Sequence, residues 1–136
     1  MTLVRFPSIA TFAIALTATG LAFASSAQAA PAAKAPKGDP VHGKELYIQC
    51  KVCHSLDPGK NGVGPSLKGI VGTKAADVPG YTFSAAMKKS GITWTPEALS
   101  DFLAAPMKKV PGTKMPYAGM PKPQDRADLI AYLAKN

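Results

Sequence analysis

The sequence is poor in cysteine, arginine and tryptophan. Cys50 and Cys53 are the only two cysteines among 136 residues, so a framework of several disulfides is excluded. Arginine supplies only Arg5 and Arg126 of the 16 basic residues, which argues against bidentate recognition of bases or phosphates and against a nucleic-acid ligand. Lysine therefore carries most of the net charge of +8, and a diffuse positive surface of this kind suits an acidic partner.

A long hydrophobic run occurs once, at the N-terminus. Arg5 precedes an almost uncharged stretch over residues 6–24. Residues 27–29 are Ala-Gln-Ala, the pattern of two small residues around any residue that precedes a cleavage site. This order is typical of an export signal, and we predict that residues 1–29 form a signal peptide cleaved after Ala29. An uncleaved membrane anchor is the alternative, because the run could just span a bilayer. The mature protein is then expected in the periplasm, with at most peripheral membrane contact.

The remainder of the chain is predicted to form one domain with a flexible extension. About 107 residues follow the signal, which suffices for a single modest core that a cofactor could reinforce. Residues 30–38 contain only Ala, Pro, Lys and Gly and have little to bury, so they are interpreted as a flexible tail. The domain is assigned to residues 39–136.

Capping residues and prolines predict an all-α domain of three to five helices. Asp39 and Thr95 are suitable N-caps, each followed directly by proline, and Ser84 is a third. The predicted helices cover residues 40–49, residues 84–90, a segment from Pro96 that ends at Pro106, and a last segment from about Pro123, with Leu129, Ile130, Tyr132 and Leu133 facing inward. Residues 55–80 and 107–122 are rich in Gly or Pro and are predicted to be long loops. The first is so long that it needs a bound group around which it can fold.

The two cysteines belong to a Cys-x-x-Cys-His motif, Cys50 to His54. This spacing is the attachment pattern of a c-type haem, in which both thiols bind one edge of the porphyrin and the adjoining imidazole reaches the iron. A redox dithiol would require alternating strands and helices, and a zinc site would require two further ligands where only His42 is left over. We therefore predict one covalent haem, with Cys50 and Cys53 as attachment residues and His54 as an iron ligand.

Several segments after the motif resemble those of class I cytochromes c of the mitochondrial and related bacterial type. The similar segments are residues 64–67, 79–82, 91–94, 111–115 and 128–133. They follow one another in the order of the family and cover nearly the whole domain. The resemblance implies the cytochrome c fold, in which helices and long loops wrap around one haem.

The resemblance also implies the second iron ligand. The methionine of Pro-Gly-Thr-Lys-Met corresponds to Met115, whose thioether would raise the reduction potential relative to a second imidazole. Spacing alone does not choose among the other methionines, because Met107 and Met120 share the same loop and Met87 lies in a predicted helix. The family motif selects Met115 and leaves Met120 as the best alternative.

Further roles follow from the resemblance, residue by residue. The carbonyl of Pro65 is expected to accept a hydrogen bond from His54, and Trp94 and Thr113 are expected to donate to haem propionates. Gly43 should approach Tyr132 where the first and last helices meet. The exposed haem edge should be ringed by Lys108, Lys114 and Lys122, which would guide docking on an acidic oxidase, reductase or dehydrogenase.

Some positions depart from the family pattern. Phe83 and Phe102 stand where tyrosine is frequent, Thr73 where arginine is frequent, and Met87 where asparagine is frequent. Polar contacts to the propionates and to the axial sulfur are therefore expected to be missing. The resemblance implies a monomeric one-electron carrier and not an enzyme, while a haem peroxidase or a ligand-binding haem sensor with a labile sixth ligand is the alternative.

Overall fold

The computed structural model describes residues 36–136, which form a helical domain. Six helices occur in this range: α1 Pro40–Leu46, α2 Ile48–Lys51, α3 Ala85–Lys89, α4 Pro96–Ala104, α5 Pro106–Lys109 and α6 Pro123–Leu133. Over the same range the chain forms no strand, only an isolated bridge between Lys74 and Thr93. The all-α prediction is confirmed. The proposed signal peptide, its cleavage site and most of the proposed tail lie outside the described residues.

None of the helices between residues 36 and 136 is long and apolar enough to cross a membrane.

The first predicted helix is observed as two short helices. Asp39 caps α1, because its carboxylate accepts the N–H of Val41 at 2.8 Å, and Pro40 supplies the first turn. Tyr47 separates α1 from α2 but keeps a right-handed helical conformation, and its carbonyl accepts from Lys51 at 3.0 Å. The helical path therefore continues to Lys51, two residues beyond the predicted end, and it carries Cys50.

Helices α1 and α6 pack closely through glycine. A Cβ atom on Gly43 would collide with the carbonyl oxygen of Asp128 and would lie 2.8 Å from the Cβ of Tyr132. The expected contact between Gly43 and Tyr132 is therefore present, and it explains a glycine inside a helix. Gly38 approaches the carbonyl of Ala127 in the same way. The end of the proposed tail thus packs against α6, because glycine permits a backbone approach that no other residue would allow.

A buried carboxylate ties the chain before α1 to α6. Asp128 is 3% exposed and accepts from the N–H of Asp39 and from Gln124, both at 2.7 Å. Its second oxygen lies 2.8 Å from Nδ1 of His42. Gln124 also donates to the carbonyl of Lys37 at 3.0 Å. This network compensates the cost of burying a carboxylate and was not foreseen from the sequence.

The network shifts the pKa values of both ionisable partners. The hydrogen bond to Asp128 raises the pKa of His42 above 6.5, although loss of hydration acts against it. Burial pushes the pKa of Asp128 up, but the hydrogen bonds from His42, Asp39 and Gln124 outweigh burial and hold it below 3.8. The ion pair between His42 and Asp128 therefore stabilises the fold most between pH 3.8 and pH 6.5, the ordinary pKa values of the two side chains.

Replacing His42 by Ala should destabilise the domain more in mild acid than in alkali. The pKa of His42 is raised in the folded state. Its contribution to the free energy of unfolding is therefore fully present below pH 6.5 and is lost as the pH rises through the raised pKa. Urea unfolding of the parent and of His42→Ala at about pH 5.5 and about pH 9 measures the difference. Lys44→Ala, an exposed substitution on the same helix, is the control. An equal loss at both pH values would contradict the prediction.

The two other predicted helix caps, Ser84 and Thr95, are also present, and the second predicted loop is helical at its start. The Ser84 and Thr95 hydroxyls accept the N–H groups of Met87 and Ala98, each at 3.1 Å, and so begin α3 and α4. Pro106 ends α4 as predicted, but it also begins α5, because proline is favourable in a first helical turn. The prediction of a continuous loop from residue 107 was therefore wrong at its start.

The long loop after the Cys-x-x-Cys-His motif is held by hydrogen bonds rather than by regular structure. The Asn61 side chain accepts from the N–H of Ser66 at 3.0 Å and donates to the carbonyl of Pro79 at 2.9 Å. Ser66 is buried and donates to the carbonyl of Asp57 at 2.7 Å. Further along the chain, the backbone N–H of Trp94 donates to the carbonyl of Thr73 at 2.8 Å. These bonds fold the loop back on itself beside the core.

Candidate haem-binding site

One large apolar cavity opens between the helices and the two long loops. Its volume is about 360 Å³, within the usual range for sites that bind small molecules or cofactors. Its apolar walls include side chains from the loops, α4 and α6. These are Leu67, Ile70, Leu99, Phe102, Leu103, Leu129 and Leu133. Most of the buried core residues thus also line this cavity, which identifies it as the place of the group predicted to organise the long loop.

Both cysteines line the cavity, and no disulfide joins them. The helical turn at the end of α2 positions them, since the N–H groups of Cys53 and His54 donate to the carbonyl of Cys50 at 3.1 and 2.9 Å. Burial, with a smaller effect from Cys53, raises the pKa of the Cys50 thiol to about 11. A redox dithiol instead depends on a lowered thiol pKa. Over residues 36–136 no cluster of three His, Cys, Asp or Glu side chains is placed to hold a metal ion.

His54 is fixed with one ring nitrogen free to bind a metal. Its Nδ1 lies 2.7 Å from the carbonyl oxygen of Pro65, the hydrogen bond expected from the sequence. Because a carbonyl can only accept, Nδ1 carries the proton and Nε2 keeps its lone pair. Burial lowers the pKa of His54, although the bond to Pro65 acts in the opposite direction, and this favours the neutral imidazole.

Gly64 allows the imidazole of His54 to pack against the backbone. A Cβ on Gly64 would collide with the ring, with Nδ1 at 2.7 Å and Nε2 at 2.8 Å. Any other residue would therefore push the ring away from Pro65. This accounts physically for the glycine of the Gly-Pro-x-Leu segment.

The four candidate methionines differ in their position relative to the cavity. Met115 and Met87 line the cavity, whereas Met107 and Met120 do not. Met107 is 54% exposed on α5, and Met120 is 4% exposed in the core, with its N–H donating to the carbonyl of Leu103 at 2.7 Å. The choice of Met120 as the best alternative to Met115 was therefore wrong, because its side chain packs in the core away from the cavity. Met87, on α3, is the better alternative.

Trp94 and Thr113 are the polar groups expected to meet propionates, and both line the cavity. Trp94 is 6% exposed and packs on Phe102 with the ring centroids 5.1 Å apart. The Thr113 hydroxyl accepts the N–H of Met115 at 3.3 Å, which leaves its own proton available to an acceptor in the cavity.

The departures from the family pattern have local consequences. The hydroxyl of Thr73 donates to the carbonyl of Ile70 at 2.8 Å, so it is used within its own turn. Phe83 packs edge-on against Tyr81 with the ring centroids 4.7 Å apart. Phe102 offers the cavity an apolar ring where a tyrosine would offer a hydroxyl. Neither phenylalanine can hydrogen-bond to a sulfur or a propionate.

The three predicted docking lysines are exposed, but their relation to the cavity differs. Lys114 lines the cavity, whereas Lys108 lies on α5 and Lys122 directly precedes α6. Lys74 also lines the cavity and was not singled out from the sequence. It follows a Gly-rich stretch without periodicity, so no sequence signal indicated its position. The cavity thus opens on a surface that carries positive charge.

Two polar contacts near the Met115 loop were missed from the sequence. Tyr117 donates to the side-chain oxygen of Gln49 at 2.8 Å. Arg126 donates to the carbonyls of Met120 and Pro121 at 2.7 and 2.8 Å, and to Ser100 at 3.0 Å. These bonds fix both the loop and its far end. Tyr117 and Gln49 are 68 positions apart and Arg126 and Ser100 are 26 apart, so spacing could not pair them.

The chemistry of this cavity fits a covalently attached haem. It combines two cysteine side chains, an imidazole with one nitrogen already fixed, a thioether and the hydrogen-bond donors Trp94 and Thr113 within apolar walls. The fold and the cavity together define a class of protein, the small helical haem proteins of the c type.

Comparison with known proteins agrees with this class. The model of the cytochrome c family matches residues 40–136. The chain is 47% identical over 122 residues to cytochrome c2 of Rhodomicrobium vannielii, a match that covers 89% of this chain and 92% of that protein. It is 55% identical over 100 residues to cytochrome c2 of Rhodopila globiformis, covering 73% of this chain and 94% of that protein. The solved structure of cytochrome cH from Methylobacterium extorquens is similar with a TM-score of 0.70 and 50% identity, covering 73% of this chain and 100% of that one.

The chain belongs to the cytochrome c family. The resemblance inferred from its segments is confirmed, as is the prediction of one covalently bound haem c. It is a haem-containing electron carrier and not an enzyme, so the peroxidase alternative is set aside.

Proposed function

We propose that this protein carries single electrons on a haem attached through Cys50 and Cys53, with His54 and Met115 as the two axial ligands. The observation that carries this proposal is the 2.7 Å hydrogen bond from His54 to Pro65, because it leaves Nε2 free in a cavity that Met115 and both thiols also line. If His54 and Met115 both hold the iron, it would have no place for a substrate, and the haem would supply electron transfer without bond formation.

In this proposal the chain positions the ligands and excludes water. When bound, the haem supplies the one-electron chemistry. Pro65 keeps His54 in one tautomer and one orientation, and the apolar walls limit the reorganisation of water around the metal. Trp94 and Thr113 donate hydrogen bonds to the propionates. The Met115 thioether favours the reduced state relative to a second imidazole.

We further propose that the protein is exported to the periplasm, where it works as a monomer. Its signal peptide would be residues 1–29, cleaved after Ala29, and residues 30–38 would remain as an N-terminal tail before the domain. Lys108, Lys114 and Lys122 would guide docking on acidic redox proteins such as an oxidase, a reductase or a dehydrogenase. The exposure of these lysines and the net charge of +8 support this part of the proposal.

Absorption spectra of the ferric holoprotein test the proposed ligation. A sulfur-ligated ferric haem is expected to show the weak near-infrared sulfur-to-iron band and to resist low concentrations of cyanide or azide. Absence of the band together with immediate cyanide binding would contradict ligation by Met115 and favour a ligand-binding haem protein.

Electron transfer with an anionic reactant should slow steeply as salt is raised. Between ionic strengths of about 0.01 M and 1 M the Debye length falls from about 30 Å to about 3 Å, so attraction to the positive surface is lost. Stopped-flow oxidation of the ferrous protein by hexacyanoferrate(III) provides the measurement, and a cationic cobalt oxidant should show the opposite trend.

Matched lysine variants locate the charge responsible for this effect. Substitution of Lys108, Lys114 and Lys122 by Ala should flatten the salt dependence with hexacyanoferrate(III). The control replaces three other exposed lysines, which lie on α1, on α3 and after α6: Lys44, Lys88 and Lys135. Both variants lose the same charge, so equal flattening would show that the total charge matters and not the proposed docking surface.

A further inference from the structure

A hydrogen bond connects the Met115 loop to the helix that carries Cys50. The Tyr117 hydroxyl donates to Oε1 of Gln49 at 2.8 Å, although the two residues are 68 positions apart. Both side chains line the cavity, Gln49 next to the attachment residue Cys50 and Tyr117 two residues after Met115. The bond therefore joins the segment that offers the sulfur to the segment that offers a thiol.

Elsewhere the loop is held at its far end, where Arg126 donates to the carbonyls of Met120 and Pro121. Inside the loop, the Met115 N–H donates to the Thr113 hydroxyl at 3.3 Å, and the loop rejoins the core where the Met120 N–H donates to Leu103 at 2.7 Å. Over residues 114–119, the bond to Gln49 is the only hydrogen bond that reaches another part of the described chain. Phe102 on the cavity wall adds none, because it has no hydroxyl.

We propose that Tyr117 and Gln49 form a latch across the cavity that holds Met115 in place and limits how often its sulfur leaves the iron. The proposal rests on the proposed ligation by Met115. Both are positioning residues: they act through the loop and not by contact with the iron. A hydrogen bond that forms only when the loop is closed lowers the population of the open loop by the free energy of that bond.

Imidazole binding to the ferric holoprotein measures how often the loop opens, because exogenous imidazole can reach the iron only after the sulfur has left. Tyr117→Phe removes the donor and keeps the ring, and Gln49→Leu removes the acceptor with little change in size. Each is expected to accelerate imidazole binding by about 2- to 10-fold, the effect of losing one side-chain hydrogen bond. The double variant should bind at the rate of either single variant, because both substitutions break the same bond.

Two further variants separate the latch from a general loss of packing. Gln49→Glu retains an acceptor for the Tyr117 hydroxyl and should keep the rate of the parent. Tyr81→Phe removes another exposed tyrosine bond of equal length, 2.8 Å to the carbonyl of Val63, and should also leave the rate unchanged.

The outcomes distinguish the latch from the ligation on which it rests. The near-infrared sulfur band should persist in the parent and in every variant, which reports that the sulfur still binds when the loop is closed. Unchanged imidazole rates in Tyr117→Phe and Gln49→Leu, or rate increases that multiply in the double variant, would overturn the latch and leave the ligation intact. A parent protein without the band would overturn the ligation, and the latch with it.

Discussion

Met115→Ala is expected to leave the haem attached and to open its iron to cyanide. In our proposal the covalent links run through Cys50 and Cys53, so loss of the Met115 sulfur should not release the cofactor. In the parent, cyanide must wait for a minor conformation in which the sulfur is displaced, and minor conformations of this kind are populated to about 0.1–10%. Removing the competitor should therefore raise the apparent cyanide affinity by about 10- to 1000-fold, measured by spectrophotometric titration.

The other methionines provide the controls for this experiment. Met107→Ala changes an exposed side chain on α5 and should leave spectrum and cyanide affinity unchanged. Met87→Ala removes the other thioether in the cavity and should preserve the near-infrared band. An intact band in Met115→Ala that disappears in Met87→Ala would assign the axial position to Met87 and contradict our proposal.

The methionines also show how much of the candidate site could be predicted from the sequence. Local spacing was sufficient to predict His54 as a ligand, because this histidine directly follows the two cysteines of the motif. It could not separate Met107, Met115 and Met120, since a loop without periodicity does not say which side chain turns inward. The structure excludes Met107 by its exposure and Met120 by its place in the core. Only the family motif gave Met115 in advance.

Polar side-chain pairs between distant segments were the part that could not be predicted. A histidine and an aspartate 86 positions apart, His42 and Asp128, form an ion pair only because Gly43 lets α1 approach α6. Tyr117 and Gln49 likewise meet only once the loop has closed over the cavity. Helix starts were predictable, since a cap such as Thr95 acts within its own turn. Polar pairs across the fold depend on packing that no local pattern contains.

Cys50→Ala combined with Cys53→Ala is expected to abolish covalent retention of the haem. The two thiols are the only cysteines in the chain, so no other side chain can form a thioether link. Extraction into hot acidic acetone should leave the precipitated protein colourless, whereas the parent should keep its colour. Mass spectrometry of protein made in a host that matures c-type cytochromes should show the added haem mass in the parent alone.

The same double variant should also lose much of its helical structure, because the core depends on the contents of the cavity. Leu99, Leu103, Leu129 and Leu133 face a space of about 360 Å³, and leaving such apolar walls without a partner removes the burial that stabilises a domain of this size. Far-ultraviolet circular dichroism would follow this loss. Each single cysteine variant retains one link and is the control. Haem that stays with the double variant after extraction would contradict attachment through these thiols.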